Sequence, residues 1–381
     1  MLAGSSDDRR LIGDAGDDAL LGQEGDDKNV FGEAGSDRLY GGSGRDQRLY
    51  GGQDADSLFG GSGGDTRLYG QQDDDEIHGE DGQDTILRGG QGEDLVFGGN
   101  NKDLDLVGNS GNDRLYGDNG GDVDLFGGSG ADLVYGGDGK DLQLSGGVED
   151  DSLFGGNGAD LSLRGNSGAD RVFGDSGSDT SLSGGANDDY IFGGLGDDQA
   201  LSGDQGDDQV YGGAGDDIQL GGGGNDNLFG DDGDDLLTGA GGTNSLLGGS
   251  GADTLDLGNL DRAFGGSAAD SFLFDGDEGG SLFGGGTRVA SLVLEDFQGV
   301  LFNPAPGQED RLVFASGLES GSFVYRGDSL FSAGGNSEAR FDAGLNQVEV
   351  DADGNGAADI VFQVNGITDG GQLTATDFLW L

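Results

Sequence analysis

Residues 41–59 read GGSGRDQRLY followed by GGQDADSLF. The pattern returns 19 residues later and keeps returning, so the chain is built of stacked units and not around one globular core. Each 19-residue period splits into a ten-residue and a nine-residue unit, as in GDNGGDVDLF at 117–126 and GGSGADLVY at 127–135. Pairs of this kind fill 3–211, and from 212 to 247 the units are nine and nine, so the period drops to 18.

One residue type marks the register. Aspartate stands at position six of nearly every unit, on two interleaved tracks. The first runs Asp18, Asp37, Asp56, Asp75, Asp94, Asp113, Asp132, Asp151, Asp170, Asp189, Asp208 and Asp226. The second runs Asp8, Asp27, Asp46, Asp65, Asp84, Asp103, Asp122, Asp141, Asp160, Asp179, Asp198, Asp217, Asp235 and Asp253. Asn244 replaces aspartate late in the array and marks a weaker or missing site. Carboxylates repeated at a fixed place in stacked units repel one another unless a cation lies between them.

The first six positions of a unit are expected to form a turn. Glycine at positions 1, 2 and 4 permits a positive φ without steric cost. At position 4 it gives way to Asp54, Asp73, Asn101 and Asn187, the next most tolerant residue types, and to Glu149, the poorest fit. A short strand follows, with one obligatory apolar position: Leu39, Leu58, Ile77, Val96 and Leu115 in nine-residue units, Leu49, Leu68, Leu87, Leu106 and Leu125 in ten-residue units. One inward side chain per short strand predicts an all-β, flattened parallel solenoid of two sheets. Two such side chains per turn offset only a small part of the backbone entropy of 19 residues. The bare chain is therefore expected not to fold, and a cation to reverse the balance. Turn carbonyls and carboxylates are all-oxygen ligands, the preference of Ca²⁺. Thirteen turns leave room for up to about 24 ions, roughly +48 of charge, against a formal net charge of −56.

Composition narrows the function. There are 74 acidic residues against 18 basic ones, 88 glycines, 2 prolines and no cysteine. Such acidity excludes nucleic acid or an anionic membrane as the main partner. Without cysteine there is neither disulfide nor thiol chemistry. No run of 18 apolar residues predicts a membrane span, and because Met1 leads straight into repeat-like sequence, export is expected to proceed without a cleaved N-terminal signal.

The nonapeptide GGxGxDxUx resembles the repeat of the RTX (repeats-in-toxin, hemolysin-type) calcium-binding proteins, over about two thirds of this chain. The resemblance implies a parallel β-roll with Ca²⁺ between successive turns, held by the position-six aspartates and the turn carbonyls before them. The ten-residue alternate departs from the strict nonapeptide and is expected to put its extra residue into one sheet.

On this reading residues 1–257 are the calcium-binding roll and 258–381 a separate β-rich cap, needed because the open end of a solenoid exposes edges and core. The cap is similar to the C-terminal region of secreted RTX proteins, including the serralysin type, through Leu294-Glu295-Asp296-Phe297, Asp310-Arg311-Leu312 and DADGNGAAD at 351–359. The last resembles one more Ca²⁺ loop, with Asp351, Asp353, Asn355 and Asp359 as candidate ligands. The ending Asp377-Phe378-Leu379-Trp380-Leu381 resembles the uncleaved type I secretion signal of the family. The implied picture is an extracellular bacterial protein that passes the type I secretion machinery unfolded and folds in calcium outside.

No catalytic constellation stands out, and the chain reads as a non-enzyme. There is no H-E-x-x-H, and the one histidine, His78, occupies an outward strand position. Gly-Gly-Ser-Gly-Gly at 60–64 satisfies G-x-S-x-G only because the repeat is rich in Gly and Ser. Arg326-Gly327-Asp328 spells a cell-attachment tripeptide by chance. One outward row is notable: Leu21, Tyr40, Phe59, His78, Phe97, Tyr116, Tyr135, Phe154, Phe173, Phe192 and Tyr211 share the ninth position of the nine-residue units. It either stiffens the solenoid by stacking or offers a contact face for a glycan or a cell-surface protein. Ice binding is disfavoured, since position three of the ten-residue units reads Ser43, Ser62, Asp81, Asn100, Asn119, Asp138 and not a threonine array. A third possibility is that the chain is the C-terminal module of a larger secreted enzyme.

Overall fold

The computed structural model describes residues 1–3, 7, 9–258, 261–268 and 270–274, and beyond them the strands at 293–294, 311–314, 324–325, 338–342, 347–351, 360–364 and 378–380. The described structure is all β, and it contains no helix long and apolar enough to cross a membrane. Two compact units divide the chain, Met1–Gln199 and Ala200–Leu381.

The first unit is a solenoid of two parallel sheets, one strand of each per turn. Arg38–Ser43, Ser57–Ser62 and Glu76–Asp81 follow one another in the first sheet; Leu49–Gln53, Leu68–Gln72 and Leu87–Gln91 do so in the second. The register is the sequence period: Leu39 pairs with Leu58, and Leu49 with Leu68. Parallel pairing in register puts like residues above one another, so the inward position becomes a continuous aliphatic row. Leu39, Leu49, Leu58, Leu68, Ile77 and Leu87 are all fully buried. Period-two alternation places this residue in, the next out, and the position-one glycine in again, as in Leu39, Tyr40 and Gly41.

The second unit repeats the arrangement with the shorter period. Val210 pairs with Leu228, and Leu228 with Leu246. Parallel pairing runs past residue 257: Arg262–Ser267 pairs with Ser245–Ser250, and Ser271–Phe274 with Thr254–Leu257. Arg311–Phe314 continues one sheet, and the terminal Phe378–Trp380 lies parallel to it. An antiparallel set, Glu338–Asp342, Gln347–Asp351 and Ile360–Val364, is joined through the last strand to Val293–Leu294.

Two expectations need adjusting. The extra residue of the ten-residue unit mostly lies outside the sheet, at the corner between the aspartate and the strand: residues 45–48 are irregular and the strand begins at Leu49. Only in Thr180–Ala186 and Gln199–Gln205 does it enter the strand, where Ser181 and Ala200 take φ of 64° and 57°. Glycine at position 1, moreover, is not there for a positive φ. The left-handed positions are 2 and 4, where Gly42 and Gly44 have φ of 109° and 127°, and where Asp54, Asp73, Asn101, Asn187 and Glu149 also take positive φ. Position 1 answers to a different constraint, described next.

Candidate metal centre

From Asp37 on, the position-six aspartates turn their side chains inward at the corner of the turn, and rung after rung binds the turn before it. Asp46 Oδ1 accepts the backbone N–H of Asp27 at 2.8 Å, and Asp65 Oδ1 that of Asp46 at 2.7 Å. The next residue reinforces the step: Gln47 N–H donates to the Asp27 carbonyl at 2.8 Å. The other track does the same, with Asp56 Oδ1 on Asp37 N–H and Asp75 Oδ1 on Asp56 N–H, both at 2.8 Å. In the second unit Asp226 Oδ1 accepts from Asp208, and Asp235 Oδ1 from Asp217. Two ladders of carboxylates therefore run along the two edges of each unit.

These carboxylates are buried: Asp46, Asp65, Asp84 and Asp103 are 0 % exposed. Only one oxygen of each is spent on the backbone. From Asp37 to Asp179, Oδ2 of every rung on both edges is buried without a hydrogen-bond partner, as it is at Asp226, Asp235 and Asp253. A buried carboxylate oxygen left unpaired costs several kcal/mol when ionised, roughly the penalty of an uncompensated buried charge. Burial accordingly pushes the carboxyls up: Asp46 and Asp84 to about 6, Asp94 and Asp132 to about 7, Asp65, Asp75 and Asp103 to about 8. The backbone N–H pulls each back, and for most of them neighbouring carboxylates add to the rise.

The position-one glycine completes the cradle. A Cβ on Gly41 would collide with Asp46 Oδ2 and with the carbonyl oxygen of Gly60, one turn on; a Cβ on Gly136 would meet Asp141 Oδ2 and the Gly155 carbonyl in the same way. A carboxylate oxygen and a peptide carbonyl of the following turn thus approach one point that only glycine leaves open. Among the described residues no three carboxylate or imidazole groups converge on a point. The donors that meet at these cradles are a carboxylate oxygen and a peptide carbonyl oxygen, all hard oxygen, which suits Ca²⁺ and suits neither zinc nor copper. The orphaned oxygens and the cradle fit such an ion.

The structure brings Asp27, Asp37 and the later predicted rungs through Asp253 to these buried positions. Asp18 is the exception, with its side chain 22 % exposed. Asp8, Asp353, Asn355 and Asp359 lie outside the described residues; Asp351 ends the strand Gln347–Asp351, its side chain likewise outside them. Two rungs escaped the sequence reading. Asp261 and Asp270 are buried and accept the N–H of Asn244 and Asp253; the signal was a spacing of 17, shorter than either repeat period. A second, exposed row also went unnoticed. Position-five carboxylates accept an N–H of the following turn, Asp26 from Arg45 and Asp74 from Glu93, and their mark is the doubled aspartate of Asp26-Asp27 and Asp74-Asp75.

The outward aromatic row of the first unit is a column of stacked rings. Tyr40, Phe59, His78 and Phe97 follow at centroid distances of 4.9, 4.9 and 4.7 Å with interplanar angles below 10°. Tyr116, Tyr135, Phe154 and Phe173 continue it. Phe192 breaks the stack, edge-on at 6.5 Å. Within the column the ring faces cover one another, so its outer surface consists of ring edges. His78 is one more ring in it, bonded to Glu76 at 2.9 Å.

The family model of the RTX calcium-binding nonapeptide repeat matches this chain at residues 2–28, 31–66, 61–89, 69–104, 105–123, 124–142, 145–181, 164–200, 200–218 and 220–255. No curated protein matches the chain. The matched segments cover most of the array whose turns carry the aspartate ladders, and their repeats are calcium-binding repeats. The chain belongs to the RTX family of calcium-binding nonapeptide repeat proteins.

Proposed function

We propose that the aspartate ladders are the calcium sites, and that binding along them drives folding of a secreted bacterial protein. The observation that carries this reading is the row of buried Oδ2 atoms without partners, which along the edge from Asp46 to Asp179 lie beside a glycine carbonyl of the next turn. Position-six aspartates supply the carboxylate, turn glycines the carbonyls, and the ion the positive charge that neither can. Because the same carboxylates are costly to bury alone, calcium favours the folded state by mass action. A chain that stays open at low cytosolic calcium suits export through the type I secretion machinery, for which the terminal Asp377–Leu381 stretch is the proposed signal. The test is far-UV circular dichroism of the purified chain, titrated from chelator to about 10 mM Ca²⁺, the range of extracellular modules, with Mg²⁺ as control. A cooperative coil-to-β transition specific to Ca²⁺ is expected. A β spectrum already complete in chelator rejects calcium-driven folding.

A second reading is contact with a glycan. It rests on a groove of about 610 Å³ beside the aromatic column, floored by Gly42, Gly61 and Gly99 and walled by Asp81, Asn100 and Asn119. Amide and carboxylate are linked there, Asn100 Nδ2 to Asp81 Oδ1 at 2.7 Å and Asn119 Nδ2 to Asn100 Oδ1 at 3.0 Å. Replacing Asn100 and Asn119 by Ala should abolish retention on a glycan array while sparing the calcium transition; unchanged retention rejects it.

A further inference from the structure

One rung of the second unit differs in chemistry from the others. On the edge Asp208–Asp226–Asn244–Asp261, Asn244 is 1 % exposed and its Oδ1 accepts the Asp226 N–H at 2.8 Å. That bond decides the orientation of the amide, because only the oxygen can accept. Nδ2 then falls where the other rungs hold Oδ2: a Cβ on Gly239 would meet Asn244 Nδ2 at 2.6 Å, as one on Gly230 would meet Asp235 Oδ2. An NH₂ group at that point presents protons to the cradle and no lone pair, so it repels a cation.

The partner rung is altered to match. Asp261 Oδ1 accepts the Asn244 N–H at 2.8 Å. Its Oδ2, unpaired at Asp226, Asp235 and Asp253, accepts the N–H of Gly258 at 2.7 Å. Asn244 Nδ2 itself is buried without a hydrogen-bond partner. In sequence Asp261 follows Gly258 by three residues, where position six follows position one by five in the other units, and the Gly258 N–H reaches its own unit's aspartate. The opposite edge has no such change: Asp235 and Asp253 keep their unpaired Oδ2 atoms.

We propose that the rung Asn244–Asp261 is closed by the protein's own hydrogen bonds and takes no calcium, so the calcium series on this edge stops short of the opposite one. The inference rests on the reading that the ladders hold calcium. An amide with its N–H₂ inward and a short turn that supplies a backbone donor replace the charge an ion would bring. The Asp261 carboxylate is thereby paired through both oxygens at any calcium concentration.

Native mass spectrometry of the full chain in calcium acetate counts bound ions one by one and tests this. Asp261→Asn should retain the wild-type number of ions, whereas Asp253→Asn, on the opposite edge, should carry fewer. Loss of an ion from Asp261→Asn overturns the proposal. Should that variant fail to fold, Asn244→Ala decides in the same way: an unchanged count is expected, and a lost ion overturns it. A wild-type chain that binds no calcium would instead reject the calcium reading of the ladders.

Discussion

Asp46 Oδ1 lies 2.8 Å from the backbone nitrogen of Asp27, 19 residues earlier, while Asp46 Oδ2, equally buried, has no hydrogen-bond partner. The carboxylate is thus half structural and half available. The structural half sets the spacing of the turns; the available half is what calcium would complete.

Substituting a mid-array rung separates the two halves. Asp122→Asn keeps an oxygen for the Asp103 N–H, now 2.7 Å away, and replaces Oδ2 by a donor. The calcium-loaded fold should lose about 1–3 kcal/mol, read as a higher calcium midpoint by circular dichroism, with fewer ions bound. An unchanged midpoint would remove this oxygen from the site.

The pH dependence of the calcium-free chain follows from the buried carboxyls. Their folded values are raised, for instance to about 7 at Asp94 and about 8 at Asp103, above the ordinary 3.8. The folded form therefore holds protons that the unfolded form gives up. This contribution is fully present below about pH 4 and is lost as pH rises through 6 to 8. In calcium-free buffer the β signal should grow as pH falls from 8.5 to 4.5. A flat profile would contradict it. Calcium binding at pH 6 should release protons, and at pH 9 far fewer.

Position-one glycine should tolerate alanine badly. A Cβ on Gly136 runs into Asp141 Oδ2 and the Gly155 carbonyl, an overpacking cost of about 1–3 kcal/mol. Gly223→Ala, at a position where a Cβ would meet nothing nearer than the Asp204 carbonyl oxygen at 3.8 Å, should cost less. Denaturant melts in saturating calcium compare the two. Equal losses would mean that the cradle is not the constraint.

The aromatic column should contribute to stability independently of calcium. Tyr116 stacks on Phe97 at 5.0 Å and on Tyr135 at 5.1 Å, and each pair contributes about 0.5–1.5 kcal/mol. Tyr116→Ser should lower the melting temperature of the loaded protein and leave the number of bound ions unchanged. A lost ion would couple the column to the sites.

Much of this was legible from the residues. The 19-residue spacing of Asp46 and Asp65 and the apolar beat of Leu39 and Leu58 predict in-register parallel stacking, because a period repeated along a chain can bury its apolar side only against its own copies. The buried rungs from Asp27 to Asp253 follow from the same period. Asp261 and Asp270 did not, since their 17-residue spacing breaks the rule that identified the others. Glycine at position 1 was legible as a requirement but not in its cause: φ and close approach select the same residue, and only coordinates distinguish them.

The sequence by itself determined the unit, the register and the oxygen chemistry, since each is carried by residue type at fixed spacing. Tertiary structure alone decided which oxygen of rungs such as Asp46 and Asp65 lacks a hydrogen-bond partner, which way the Asn244 amide faces, and that the aromatic rings cover each other's faces. Those outcomes depend on distances of a few tenths of an ångström between successive turns. Such distances are set by packing and backbone hydrogen bonding across 17 to 19 residues, and no local pattern encodes them.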